Sequence, residues 1–301
     1  MHRHIKKPQS ALLLGAGYVA RALTPVLQNM GYDVSVTTRS GETNLKNVIC
    51  HPFRGEASPE LKTTFTSADL ILSSIPPLKA PTPKTSTKTG PKTGRDPALN
   101  AFRHLTPRAN WIGYLSATSV YGNRAGKWAF EDEAPSPTLA RGRARADAEL
   151  AWIETLWPVH IFRLAGIYGP GRSPFKKLRS GTARAIIKEN HVVNRIHIDD
   201  ILSALLLSLN APAPQSLYNL ADGHPAPPQD VLDYAAGLLD LPPPPRLDLD
   251  NPEISDMARS FYAETKRINA DKARQELGWR PAYSSYRDGL SAILLKISGV
   301  G

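Results

Sequence analysis

A chain of 301 residues with 41% hydrophobic content can bury a sizeable core, which excludes disorder of the whole. The formal net charge of +10 raises nucleic acid as a partner, but the excess sits in an N-terminal tail (Arg3, Lys6, Lys7) and in 79–108. There Lys79, Lys84, Lys88, Lys92, Arg95, Arg103 and Arg108 face only Asp96, and no nucleic-acid motif accompanies them, so no specific nucleic-acid partner is expected.

The single cysteine, Cys50, cannot form an intramolecular disulfide, and the opening MHRHIKKPQS lacks the apolar stretch of a secretory signal. The apolar stretches 11–15 and 201–209 fall far short of the roughly 20 residues that span a bilayer. A cytoplasmic location without a membrane partner is the expectation.

In chain order, 11–27 (ALLLGAGYVARALTPVL) opens with four apolar residues, continues through a glycine turn of the form G-x-G-x-x-A, and ends in an amphipathic helical pattern. This spacing reads as the first strand, turn and helix of a dinucleotide-binding domain. Gly15 permits a tight turn, Gly17 lets backbone approach a pyrophosphate, and Ala20 keeps the helix close to the sheet. Tyr18, Val19 and Ala20 open the helix, where unpaired N–H groups and the positive end of the dipole favour an anion. Glycine turns between strand and helix also occur without a ligand. Pro25 should kink this helix or break its hydrogen bonding.

The alternating stretch 33–38 (DVSVTT) is a strand, and Arg39 and Ser40 follow it at once. An acid at that place would accept hydrogen bonds from the adenosine ribose hydroxyls. Arg39 instead offers a guanidinium for a 2′-phosphate and favours NADP over NAD as cofactor. The alternative is an arginine in solvent.

A third strand is expected at 47–50 and a fourth at 68–74, entered from a helix over 59–65, with Ser73, Ser74 and Ile75 at its end as further candidates for cofactor contact. The stretch 79–95 (KAPTPKTSTKTGPKTGR) reads as a mobile basic surface loop. A short helix over 97–104, a strand opening 110–123, a long helix over 138–157 stopped at Pro158 and a strand at 159–164 follow. The alternation implies an α/β fold, a doubly wound Rossmann parallel sheet. We expect the Rossmann domain over 7–166 and a smaller C-terminal substrate lobe over 167–301, some of whose elements return to the core.

In the second half 192–198 is extended, Asp199 and Asp200 cap a helix over 201–209, 217–220 is a short strand, and 229–239, 269–277 and 287–295 are helical. His197, Asp199 and Asp200 suggest an ion or an acid/base pair, but three neighbours in a row cannot surround an ion, so a structural role and no metal is expected. Glu131, Asp132 and Glu133 read as a solvated acidic loop.

With these segments in place the sequence resembles the extended short-chain dehydrogenase/reductase family, which holds nucleotide-sugar epimerases and dehydratases. The markers are the turn at 15–20, S-A-T-S-V-Y-G at 116–122, R-L-A-G-I-Y-G-P-G-R at 163–172, R-I-H-I-D-D at 195–200 and K-R-I-N-A-D-K-A-R-Q-E-L-G-W-R-P at 266–281. The G-x-G-x-x-A turn and R-G-R-A-R at 141–145 resemble the atypical YeeZ-type branch.

The resemblance implies a tyrosine for proton transfer, a lysine one helical turn later and an upstream Ser or Thr. Those positions fall on Arg141, Arg145 and Ala117. An arginine cannot give up a proton at working pH, so Arg141 cannot be the acid/base, whereas Arg145 can keep a cation near the ribose. Of the remaining hydroxyls, Ser116, Thr118, Ser119 and Tyr121, Thr118 is the candidate for orienting a substrate and Ser116 for cofactor contact. Tyr121 reads as a packing residue with direct chemistry as its alternative. Leu164, Ala165, Gly166 and Ile167 are implied to border the nicotinamide.

Arg141 and Arg145, four apart on one helix face, suggest an anion between them, either a substrate group or Glu131, Asp132 or Glu133; otherwise both point to solvent. The sequence therefore suggests an NADP-dependent oxidoreductase or epimerase-like enzyme acting on an anionic small molecule such as a nucleotide sugar, with a homodimer among its candidate assemblies. A non-catalytic NADP-binding sensor and a scaffold without ligand are the alternatives.

Overall fold

A computed structural model describes residues 9–78 and 96–299; the basic tail and the expected loop 79–95 lie outside the described residues. The first strand, β1 (Gln9–Leu14), runs parallel to β2 (Tyr32–Thr38) on one side and to β4 (Leu70–Ser73) on the other, pairing Leu13 with Val36 and Leu14 with Ser73. A strand flanked on both edges and covered on both faces wants a continuous apolar run, and Ala11, Leu12, Leu13 and Leu14 are all buried.

Between these strands lie α1 (Tyr18–Asn29), β3 (Val48–Pro52) and α2 (Pro59–Ser67). Pro25 lies inside α1 and, having no N–H, interrupts its hydrogen bonding at that one position, as expected; the helix continues through it, with Leu23 and Leu27 buried on either side. Helix α2 starts as its sequence suggests, with the Leu61 N–H donating to Ser58 Oγ and Pro59 in the first turn.

Next come α3 (Pro97–Phe102), capped by Asp96, and β5 (Trp111–Ala117). Then follow β6 (Trp128–Ala129), α4 (Ala140–Ile153), β7 (Val159–Leu164), β8 (Gly166–Tyr168), α5 (Phe175–Arg179), β9 (Ala185–Ile187) and β10 (Arg195–His197). The chain closes with α6 (Ile198–Asn210), β11 (Ser216–Leu220), α7 (Pro228–Gly237), β12 (Arg246–Asp248), α8 (Asp256–Tyr262), β13 (Arg267–Ile268), α9 (Asp271–Glu276) and α10 (Tyr286–Ile297). The pairs β9–β12 and β6–β13, together with α8, were not anticipated. They are too short to carry a periodic signal.

The central sheet is parallel, with seven strands in the order β11-β7-β5-β4-β1-β2-β3. The order reverses between β1 and β4, the place where open α/β sheets form a crevice at their carboxyl ends. One core packs Leu12, Leu14, Phe65, Phe102, Tyr114 and Trp152, with Phe65 and Phe102 stacked at 4.3 Å.

By contact density the chain forms two units, and neither is a single stretch of sequence. The first comprises Met1–Ala117, Leu139–Arg163 and Leu205–Leu217; the second comprises Thr118–Thr138, Leu164–Ala204 and Tyr218–Gly301. The second has its own core, including Tyr168, Phe175, Val231, Tyr286 and Leu290. No helix among the described residues is long and apolar enough to cross a membrane.

Candidate functional site

The turn after β1 is held from three sides within the first unit. The Gly15 N–H donates to Thr37 Oγ1 at 2.8 Å, the Ala16 N–H to the Thr37 carbonyl at 2.9 Å, and Ser74 Oγ to the Gly15 carbonyl at 2.8 Å. Gly15 has φ +93°, and a Cβ there would stand 2.9 Å from Ser74 Oγ and 3.0 Å from Ile75 Cγ1. The protein itself therefore requires glycine at this position.

Gly17 differs. Its φ is −78°, open to any residue, and a Cβ would meet only Ser74 Oγ, at 3.9 Å. No atom of the described residues uses the space that glycine leaves, whereas a phosphate seated against the backbone would. Gly17 opens α1 with no side-chain cap, and no acid stands in the first turn, so the positive end of the helix is left for an anion.

A cleft of about 990 Å³ opens here, lined by Gly15, Gly17, Arg39, Ser74 and Ile75 among the expected residues. Tyr18, Val19, Ala20 and Ser73 do not line it. Val19, Ala20 and Ser73 are buried, Ala20 against the sheet as its small size suggests. The cleft also takes in Arg21, Thr37, Phe53, Arg54 and the apolar residues Pro76, Pro77 and Leu78, which were not anticipated. Among the described residues that line it, three are arginines and none is acidic. Arg21 is anchored, with Nε donating to the Ala16 carbonyl at 2.9 Å and Nη1 bound to Asn44. Arg54 donates through Nε to the Arg39 carbonyl at 3.0 Å.

Farther along the sheet, also in the first unit, Ser116 is 3% exposed and its hydroxyl donates to Glu149 Oε1 at 2.5 Å. Glu149 in turn pairs with Arg163, Nη2 to Oε2 at 2.7 Å, both about as buried as Ser116. The Ser116 hydroxyl is thereby engaged in the core. Arg145 donates through Nη1 to the Leu115 carbonyl at 2.7 Å and to the Tyr114 hydroxyl at 3.3 Å, which holds its guanidinium at the carboxyl end of β5. Burial pushes the Tyr114 hydroxyl well above the usual phenol range, against the nearby Arg145 charge. Arg141 lies one turn earlier on α4, half-buried.

The remaining candidates belong to the second unit. Thr118 is half-buried at the start of a short 3-10 turn, Thr118–Tyr121. Tyr121 is fully buried and donates to Asn219 Oδ1 at 2.8 Å. The acidic run is corrected. Glu131 accepts the Asn219 N–H at 2.9 Å, and Glu133 pairs with Arg124, while only Asp132 is an exposed side chain. Leu164 and Ala165 are buried; the Ala165 N–H donates to the Leu220 carbonyl and the Gly166 N–H to the Asn194 carbonyl, each at 3.0 Å. Ile167 pairs with Ile196 of β10.

Asp199 and Asp200 lie within the first turn of α6 instead of capping it, because the helix starts at Ile198. His197 Nδ1 accepts the Asp199 N–H at 3.2 Å, and the Asp200 carboxylate accepts the N–H groups of Ala282 and Tyr283 at 2.6 and 3.3 Å. Among the described residues no group of three or more His, Cys, Asp or Glu could hold a metal ion.

Burial also pushes Asp222 up to about 7, despite the His224 N–H and Arg195. A carboxyl that holds its proton more tightly when folded makes unfolding release protons. Stability should therefore fall by on the order of 4 kcal/mol as pH rises from about 4 to about 7, then level off. Asp222→Asn keeps the acceptor for His224 and should flatten this slope in urea unfolding followed across that range. An unchanged slope would count against Asp222 as its source.

No family model matches the chain. It is 30% identical over 290 residues to protein YeeZ of Escherichia coli (strain K12), covering 90% of this chain and 95% of that protein. A solved structure of a functionally unknown conserved protein from Silicibacter pomeroyi DSS is 38% identical and superposes with a TM-score of 0.81 over 96% of this chain and 99% of that one. UDP-glucuronic acid 4-epimerase from Bacillus cereus, solved with UDP-glucuronic acid and NAD, shares the fold at 17% identity, with a TM-score of 0.73 over 97% of this chain and 100% of its own. The glycine turn at the sheet's switch point and a relative aligned along nearly the whole length agree: the chain belongs to the YeeZ-type branch of the extended short-chain dehydrogenase/reductase family.

Proposed function

We propose that this protein binds NADP in the cleft of its first unit and acts as an NAD(P)-dependent oxidoreductase or epimerase-like enzyme on an anionic small molecule, with nucleotide sugars the first class to test. The observation that carries this reading is Gly17, whose missing side chain leaves room that no atom of the described residues fills, at an uncapped helix start inside a cleft whose described lining has three arginines and no acid. The N–H groups of the first turn of α1, which has no side-chain cap, would hold the pyrophosphate, Arg39 would meet the ribose phosphate, and the apolar wall of Ile75, Pro76 and Pro77 suits a base. When bound, the dinucleotide supplies hydride transfer at its nicotinamide. Arg145 would keep a positive charge near the cofactor ribose, Thr118 would orient the substrate, and Arg141 with Arg145 would attract an anionic group.

Arg39→Asp turns a charge-assisted pair into a repulsion. It should cost NADP on the order of 1.5–3 kcal/mol of binding while affecting NAD much less. Equal affinity of the unmodified protein for both cofactors, measured by calorimetry, would overturn the NADP assignment.

A second reading is a non-catalytic NADP-binding sensor or regulator. Ala117 and Arg141 stand where the family keeps hydroxyls, and Tyr121, the nearby phenol, is buried against Asn219. Incubation with NADP and NADPH, followed by a screen of nucleotide sugars and carbonyl compounds for hydride transfer, separates the two. Turnover supports the enzyme, binding without turnover the regulator, and absence of binding removes both.

A further inference from the structure

We propose that Arg54 is a specificity-determining residue of the cleft, which with Arg39 forms a two-armed clamp for a phosphate on the 2′ position of an adenosine ribose. The proposal rests on the reading of the cleft as a dinucleotide site and assigns the discrimination to a residue that follows β3, whereas Arg39 follows β2.

Strands β2 and β3 are parallel neighbours with Thr38 beside Pro52, so the residues that follow leave the sheet at the same edge. The Phe53 N–H extends the ladder by donating to the Thr38 carbonyl at 2.7 Å, and the Phe53 side chain is buried in the core. The backbone that carries Arg54 is thereby tied to the end of β2. Arg54 Nε then donates to the carbonyl of Arg39 itself, at 3.0 Å. That contact uses one edge of the guanidinium, and its two terminal nitrogens have no protein partner among the described residues. The Arg39 guanidinium has none either.

Two cations that line one cleft with no acidic partner among the described residues repel each other, and an anion between them relieves that repulsion. A phosphomonoester, with nearly two negative charges near neutral pH, accepts from both guanidiniums. The 2′-hydroxyl of NAD does not match this pair. Arginine has donors only, so the hydroxyl proton finds no acceptor there and both charges stay uncompensated. Arg21 plays another part, since its Nε and Nη1 are spent on Ala16 and Asn44, which fixes it beside the glycine turn.

The test titrates 2′,5′-ADP and 5′-AMP into the full chain by calorimetry, comparing the unmodified protein with Arg54→Ala and Arg54→Lys. Arg54 is exposed, so neither change disturbs the core. Arg54→Ala should weaken 2′,5′-ADP by about ten- to a hundredfold and 5′-AMP by no more than about twofold, with Arg54→Lys between. Equal losses for both ligands would make Arg54 a wall of the adenosine pocket and overturn the clamp. A preference for 2′,5′-ADP that survives Arg54→Ala would overturn the clamp while leaving the NADP reading on Arg39. No preference in the unmodified protein would overturn both.

Discussion

Gly17→Ala is expected to weaken dinucleotide binding about a hundredfold, close to 2.7 kcal/mol, while changing folding stability by less than about 1 kcal/mol. The added methyl group meets no protein atom closer than Ser74 Oγ at 3.9 Å, so the folded chain tolerates it. A pyrophosphate approaching the same backbone does not. Gly15→Ala should behave in the opposite way. Its φ of +93° and the 2.9 Å approach to Ser74 Oγ place the cost in the fold, on the order of 1–3 kcal/mol. Cofactor titration and urea unfolding of the two variants separate a ligand-facing glycine from a structural one. Unchanged cofactor affinity in Gly17→Ala would remove the main support for a phosphate at this turn.

Glu149→Gln should destabilise the first unit by about 3–5 kcal/mol, the largest single effect expected in the chain. Arg163, 2% exposed, would keep its charge without the carboxylate that now meets it through Nε and Nη2. The Ser116 hydroxyl at the end of β5 would lose its charged acceptor as well. Replacing both partners, Glu149→Leu with Arg163→Met, should recover most of the loss, because it is the unpaired buried charge and not the absence of the pair that is costly. Guanidinium unfolding of both variants measures this. A double variant as unstable as the single one would show that Glu149 acts through packing instead.

What the sequence by itself determined about this protein lies in local patterns. Apolar runs, a glycine turn and β-branched alternation are read within a dozen residues, and they placed the dinucleotide-type turn at Gly15, Gly17 and Ala20 and the arginine at the end of β2. Pro25 costs α1 one hydrogen bond, as the sequence implies, and the helix continues because packing of Leu23 and Leu27 outweighs that loss. The local reading went wrong at the acidic run. Glu131 and Glu133 read as a solvated run, yet one meets the Asn219 backbone and the other Arg124.

Only the tertiary structure decided which side chains meet across long separations. Ser74 secures the Gly15 carbonyl from 59 residues away, and the Tyr121 hydroxyl is taken up by an asparagine 98 residues on. Arg54 reaches the cleft because β3 pairs with β2, a consequence of strand order that no spacing within HPFRGE reveals. Hydrophobic period and turn chemistry are properties of neighbours in the chain, whereas a binding site is a property of neighbours in space.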